Sequence, residues 1–319
     1  MEKRQPELKD FGYTHTYIVG ISGISSSGKT TLARHLRRLF TNLTIPASQS
    51  AVSSDGVGEI SFNVSLLHQD DFYVPPSALP VRSITIKRQG SKPEETEETV
   101  DMVDWDCPGA INFATFQTAL GLLRQGIPYA EVLHSLGIVG LEPPADTAPG
   151  GAMEEALTTV RRAIISRLYT VGEKVPKRFR KDLRINLILV EGFMLYHRDD
   201  DEDKQTGPPV MSLLDLKLLL RIPYAVAKER REARNGYNTT DGHWTDPEGY
   251  FDGLVWPSYV RCHRHIFVEG DVEAGILTKE WGSEGKGIEL HSGDEGVERL
   301  LQWASGKVAD IIVRGMGYN

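Results

Sequence analysis

The sequence predicts an α/β fold: a parallel β-sheet flanked by helices on both faces. Three observations predict it. Strand-like and helix-like segments alternate along the chain, the pattern of strands joined by helical crossovers. The run Ile185-Asn186-Leu187-Ile188-Leu189-Val190 is apolar almost throughout, as in strands covered on both faces. The stretch Gly23-Ile24-Ser25-Ser26-Ser27-Gly28-Lys29-Thr30 fits the phosphate-cradling pattern G-x-x-x-x-G-K-[ST] at every fixed position.

In chain order, the first element is a strand over 16–21, rich in β-branched and aromatic residues, followed by the phosphate loop. A helix over 31–39 follows, with apolar residues at helical spacing. This context gives the loop its chemistry. Its glycines let backbone N–H groups turn inward on phosphates, and the first helical turn adds unpaired donors and a favourable dipole. A nucleotide site over Gly23, Ser25, Ser26, Ser27, Gly28, Lys29, Thr30 and Thr31 is expected, with Lys29 on the β- and γ-phosphates and the Thr30 hydroxyl on Mg²⁺. A second strand is expected over 61–68, ending in Gln69-Asp70-Asp71-Phe72-Tyr73. Helices are expected over 112–124 and 153–168, strands over 185–190 and 213–222, and helices over 225–234, 256–268 and 296–313. The Ser/Thr/Ala-rich 41–58, polar 80–99, Pro/Gly/Ala-rich 140–151 and acidic 198–209 read as surface loops on a single decorated domain.

The composition narrows the partners. The chain has 319 residues, 40% hydrophobic and 25% charged, the profile of a globular protein able to bury a full core. A net charge of -8 argues against nucleic acid or an anionic membrane surface, both of which call for a basic face. Small molecules are the expected partners, and a monomer the expected state. Cys107 and Cys262 make no disulfide framework, and the N-terminal residues 1–10 lack the apolar core of a signal peptide. No stretch is long and apolar enough to span a membrane, so a cytoplasmic location is expected.

Phosphoryl transfer requires held phosphates, a placed metal ion and an aligned acceptor hydroxyl whose proton is accepted. In an open parallel sheet, ligands gather at the carboxyl ends of strands, so Asp70, Asp71 and Glu191 are expected to converge on Lys29. Asp70 is the candidate general base, and Thr30, Asp70 and Glu191 are the candidate metal residues. Turn chemistry is the plain alternative for an acidic pair after a strand. Arg230 and Arg231 lie four and three residues before Arg234, so at least two share a helix face and can close over a triphosphate. A solvated basic face would leave the same spacing.

Together, Gly-Ile-Ser-Gly-Ile-Ser-Ser-Ser-Gly-Lys-Thr-Thr-Leu-Ala at 20–33, Gln-Asp-Asp-Phe-Tyr at 69–73, Asp-Trp-Asp at 104–106, Val-Glu-Gly-Phe at 190–193, Ile-Pro-Tyr at 222–224 and Gly-Tyr-Phe-Asp-Gly-Leu-Val-Trp-Pro at 249–257 resemble the nicotinamide riboside kinases. The resemblance spans about residues 15–268. It implies a P-loop kinase fold with a lid helix and loop insertions, and ATP-dependent phosphorylation of the 5′-hydroxyl of nicotinamide riboside, with nicotinic acid riboside as a second acceptor, in NAD salvage. It also implies that Tyr73 lies against the nicotinamide ring and that Asp106 holds the ribose hydroxyls. Asp70 would accept the proton, Glu191 would be the second acidic residue at the metal, and Arg230 and Arg234 would be lid arginines. A cationic pyridinium is suited to an aromatic face with an acidic rim. Tyr237 is the candidate for a second aromatic contact. The insertions at 41–58, 80–99 and 125–184 exceed what compact members carry; the last holds the 153–168 helix and the basic stretch 174–184.

Two other readings share the phosphate loop. A uridine kinase-like enzyme would have similar acidic residues, but a neutral uracil gains less from an acidic, aromatic slot. A nucleotide-hydrolysing switch would use the loop to drive conformational change, and the chain has no Asn-Lys-x-Asp tetrapeptide to read guanine. Cys262, His263 and His265 lie close together, yet no fourth ligand at zinc spacing accompanies them, so packing is their expected role. Trp105, Trp256 and Phe251 are expected in the core.

Overall fold

The computed structural model describes residues 14–41, 43–46, 59–89, 95–138, 150–172, 183–198, 210–234, 236–239, 242–283, 285 and 287–315. The loops expected at 41–58, 140–151 and 198–209, and the basic stretch at 174–184, fall mostly outside these residues.

The first strand, β1, spans Thr14–Gly23, and the first helix, α1, spans Lys29–Phe40. A short strand β2 (Thr44–Pro46) precedes β3 (Glu59–His68). A hairpin of β4 (Val81–Gln89) and β5 (Glu95–Val103) comes next. The helices α2 (Phe113–Arg124), α3 (Tyr129–Ser135) and α4 (Gly151–Gly172) then lead to β6 (Leu183–Gly192). Beyond it lie β7 (Leu216–Arg221), α5 (Tyr224–Glu232), and the short strands β8 (Tyr237–Thr239) and β9 (Gly242–Trp244). The chain closes with α6 (Trp256–His263), β10 (Ile288–Ser292) and α7 (Val297–Gly315).

The central sheet has the order β10-β7-β1-β6-β3-β2. All its pairings are parallel except that of β2 with β3. Alternate residues on each inner strand feed two cores, because successive side chains point to opposite faces. Ile18, Ile188, Val190 and Leu219 join one core with Phe116, Leu120 and Leu123 of α2 and Ala227 of α5. Val19, Ile21, Leu187, Leu189, Leu218 and Leu220 join the other with α1, α4 and α7. Each fully buried Leu, Ile or Phe stabilises the fold by about 1.5–3 kcal/mol. The layered α/β architecture and both-face burial of the middle strands are as expected.

Four expectations need correction. The segment 80–99 is not a loop: it supplies β4 and the start of β5, whose register pairs Val81 with Val103 and Gln89 with Glu95. Ile84 and Ile86 are buried while Ser83 and Thr85 face solvent, the period-two pattern of a half-buried strand, but it covers too few residues to stand out within a polar segment. The strand expected from 213 begins at Leu216, after a 3₁₀ turn over Val210–Leu213. Asp215 accounts for the late start: its carboxylate accepts the Ile18 N–H at 2.7 Å, replacing a ladder partner. The helix expected over 256–268 is preceded by a π-turn over Phe251–Val255 and ends at His263. Finally, β10 and α3 were not anticipated, being five and seven residues long.

Candidate active site

The phosphate loop runs from the carboxyl end of β1 to the first turn of α1. Gly23 has φ +148, and a Cβ there would lie 2.3 Å from the Leu220 carbonyl oxygen, so only glycine fits beside β7. Gly28 (φ 92) forms the N-cap of α1, and Ser26 (φ 68) also adopts the left-handed conformation. These torsions turn the loop back on itself at the helix N-terminus, where unpaired N–H groups attract anions. The Lys29 ammonium is buried and donates to the Ile24 carbonyl at 2.9 Å. Burial pushes its pKa down, with Glu191 and Asp70 opposing.

Parallel pairing aligns the acidic residues. The register sets Ile21 and His68 on either side of Glu191, at the carboxyl end of the sheet. There the Thr30 hydroxyl donates to Glu191 Oε1 at 2.9 Å, and His68 Nδ1 lies 2.7 Å from the same oxygen. Burial acts to raise the Glu191 pKa, yet the His68 hydrogen bond and the Lys29 charge hold it below the usual range. Asp70 follows β3 in a 3₁₀ turn over Gln69–Phe72 and opens onto the cleft. Its carboxyl is pushed above the usual range by the surrounding protein and by the Glu191 anion, with Lys29 opposing. Two neighbouring carboxyls are thus driven apart, one firmly ionised and one able to take up a proton near neutrality.

On the other side of the cleft, the β4–β5 hairpin delivers Asp104, Trp105 and Asp106. Arg82 Nε donates to Asp104 at 2.9 Å, and the Asp106 N–H donates to Asp104 Oδ1 at 3.1 Å, which fixes the turn. Trp105 sits 5.2 Å from Tyr73, edge to face, and 6.0 Å from Trp244. Arg231 is buried and grips Asp106 with both terminal nitrogens, at 2.9 and 3.1 Å. Its Nε also donates to Asp246 at 2.6 Å. The glycines of the 249–257 motif have a packing reason: a Cβ at Gly249 would meet Ile86 at 2.7 Å, and one at Gly253 would meet Ile84 at 2.6 Å. The hairpin docks in that notch, and Tyr250 between the glycines accepts the Trp105 N–H at 3.0 Å.

A single cleft of about 430 Å³, a size suited to a small-molecule ligand, brings these groups together. It is lined by Ser25, Ser26, Gly28, Lys29, Thr30, Thr31, Asp70, Tyr73, Asp106, Glu191 and Arg234 among the expected residues. Gly23 and Ser27 are not among the lining residues: Gly23 packs against Leu220 and Ser27 is buried. Arg230 is not among the lining residues; it donates to the carbonyl of Gly293, which packs beside Ser27 of the phosphate loop, at 3.4 Å. Arg234 lies past the end of α5, so the two do not share a helix face as their spacing suggested. The backbone of Tyr237 pairs with Trp244, while its side chain lies outside the described residues.

Sequence reasoning missed Trp105 and Trp244 as site residues, and it set Arg231 over the triphosphate, where the structure has it holding Asp106. The sequence reads Trp105 as a core residue, though its place between two aspartates is a signal for the cleft it lines. His68 was missed too, although it immediately precedes the Gln-Asp-Asp motif. Cys262 and His263 are packing residues, against Met194 and the Tyr259 carbonyl.

No family model matches the chain. Individual relatives do. A nicotinamide riboside kinase of Eremothecium gossypii is 32% identical over 89% of this chain and 88% of its own length. That of Schizosaccharomyces pombe is 29% identical over 93% and 98%, and human nicotinamide riboside kinase 1 is 24% identical over 79% and 78%. The similarity therefore runs through every segment that builds the cleft, and the chain belongs to the nicotinamide riboside kinase family.

Proposed function

We propose that the protein transfers the γ-phosphoryl group of ATP to the 5′-hydroxyl of nicotinamide riboside, and of nicotinic acid riboside, forming the mononucleotide for NAD salvage. The observation that carries this reading is one cleft with a phosphate loop at one end and an aromatic, acidic slot at the other, with Asp70 between them. The names of the relatives support the same activity. We further propose that the enzyme acts as a cytoplasmic monomer; among the described residues no helix is long and apolar enough to cross a membrane.

In this reading the loop N–H groups and Lys29 hold the β- and γ-phosphates, and Arg234 adds charge over them. Thr30, Glu191 and Asp70 offer hard oxygen donors at one place, a set that fits Mg²⁺. Bound there, the ion would neutralise charge on the transferring group. Asp70 accepts the proton of the attacking hydroxyl, as its position beside the phosphate loop allows. Arg231 holds Asp106 in place beside the acceptor, and Asp106 orients the ribose. The rings of Tyr73 and Trp105 favour a cationic base over a neutral one.

The test is phosphoryl transfer from ATP with Mg²⁺ to nicotinamide riboside, nicotinic acid riboside, uridine and cytidine, read by product mass. Phosphorylation of the pyridine ribosides in preference to the pyrimidine nucleosides is expected. A preference for uridine would leave a kinase but overturn the acceptor slot, and hydrolysis without transfer would favour the nucleotide switch. Chelation of divalent cations should abolish turnover, and added Mg²⁺ should restore it.

A further inference from the structure

The register of the sheet sets an imidazole beside a carboxylate behind the phosphate loop. His68 is the last residue of β3 and pairs directly with Glu191 of β6, so their side chains leave the same face at the carboxyl end of the sheet. Neither is a surface group: the His68 side chain is 14% exposed and that of Glu191 7%. The next residue locks this arrangement. Gln69 is buried, its Oε1 accepts the Met194 N–H at 3.0 Å, and a Cβ on Gly192 would lie 2.6 Å from the Gln69 Cβ. Residues 68 and 69 are thus docked on residues 191–194, and the imidazole is held against Glu191.

Glu191 Oε1 meets two partners, His68 Nδ1 at 2.7 Å and the Thr30 hydroxyl at 2.9 Å. An ionised carboxylate can only accept, so the ring nitrogen facing it carries the hydrogen. The Thr30 hydroxyl has one proton and commits it to Glu191, which leaves its oxygen lone pairs for a cation. Glu191 Oε2 takes neither bond and is the oxygen left for the same cation or one of its waters. The carboxylate also has a rival partner, because the Lys29 ammonium is near enough for its charge to act on Glu191. Held by His68, Glu191 stays on Thr30 and leaves Lys29 for phosphate.

We propose that His68 is a positioning residue for phosphoryl transfer: its Nδ1–H fixes the Glu191 carboxylate, which in turn orients the Thr30 hydroxyl, so that the oxygen donors for Mg²⁺ are set before nucleotide arrives. The inference rests on the nucleotide and metal part of the reading above. His68 is not among the residues lining the cleft, so it acts through Glu191. Groups that hold a metal-binding carboxylate from behind are worth about 10–100-fold in metal affinity or activity.

The experiment compares the unmodified enzyme with His68→Leu, which keeps bulk but removes the donor, and with His68→Asn, whose amide donates from nearly the place of Nδ1. Calorimetry gives the Kd of a non-hydrolysable ATP analogue with Mg²⁺ and with divalent cations chelated, a measurement that needs no turnover. In His68→Leu the Kd with Mg²⁺ should rise about tenfold or more, while the metal-free Kd moves less than about threefold. His68→Asn should recover most of the loss. In turnover, kcat of His68→Leu should fall about tenfold or more with less than about a threefold change in KM for nicotinamide riboside, whose slot lies at the other end of the cleft. An unchanged Kd with Mg²⁺ in His68→Leu, an equal loss with and without Mg²⁺, or no recovery in His68→Asn overturns the proposal. If His68→Leu does not melt cooperatively, His68→Ala is judged by the same two Kd values. Should the unmodified enzyme bind the analogue no more tightly with Mg²⁺ than without, the metal reading falls and the inference with it; a normal Mg²⁺ effect that persists in His68→Leu overturns the inference alone.

Discussion

Asp70 and Glu191 differ by environment more than by residue type. Glu191 is buried and held by His68 and Thr30, which favours its anion, whereas Asp70 opens onto the cleft beside that anion. Replacing Asp70 with Ala should lower kcat by about 10²–10⁴-fold, the usual contribution of a positioned base. Nucleotide binding should persist because Lys29 remains; loss of both together would remove Asp70 from its role. The sign of the pH dependence follows from the raised Asp70 pKa. Its protonated form cannot accept a proton, so kcat/KM for the riboside should rise with pH, and bound Mg²⁺, which favours the anion, should move that limb to lower pH. Glu191→Gln removes the neighbouring anion, and the residual activity should show that limb moved to lower pH. His263 makes the opposite kind of statement. Burial lowers its pKa to about 3, so the folded state binds its proton less readily than the unfolded chain does. Stability should therefore be full above about pH 6.5 and fall as the pH drops below it, seen as a declining urea midpoint. His263→Phe should flatten that decline.

Among the elements, the β4–β5 hairpin has the largest consequence for the site, although its sequence reads as a loop. Its end carries Trp105 and Asp106, and its Ile84 and Ile86 lock into the notch left by Gly249 and Gly253. Gly253→Val would push a branched side chain into Ile84. It should destabilise the protein by about 1–3 kcal/mol, the usual cost of overpacking, measured by urea unfolding. It should also raise the riboside KM more than the ATP KM, because the hairpin serves only the acceptor side. Equal effects would show that the hairpin does not position that end of the cleft. Short edge elements such as β10 carry too few residues for a period to emerge, and pairing with β7 decides them. The helix read over 256–268 overruns its end because Ile266 and Phe267 continue the apolar spacing past His263, where the chain turns into a 3₁₀ segment.

At the scale of the molecule, the cleft joins segments far apart in the chain: the β1 loop, the ends of β3 and β6, the hairpin, and the region after α5. Ligands that bind only the assembled cleft must stabilise the whole fold. At 100 times its Kd, either an ATP analogue or the riboside should add about 2.7 kcal/mol, read as a raised melting temperature. A riboside that leaves the melting temperature unchanged at saturation would place its site elsewhere. The sequence by itself determined the inner strands of the sheet and the phosphate-loop end of the cleft. Apolar runs and the loop pattern are local signals, and residues such as Lys29, Thr30, Asp70 and Glu191 are tied to strand ends that those signals mark. Only the tertiary structure decided the acceptor end. Whether Trp105 lies in a core or a cleft, which arginine meets Asp106, and which ring faces Trp105 depend on contacts across long stretches of chain. Arg231 and Asp106 are 125 residues apart, and no local period records such a pair.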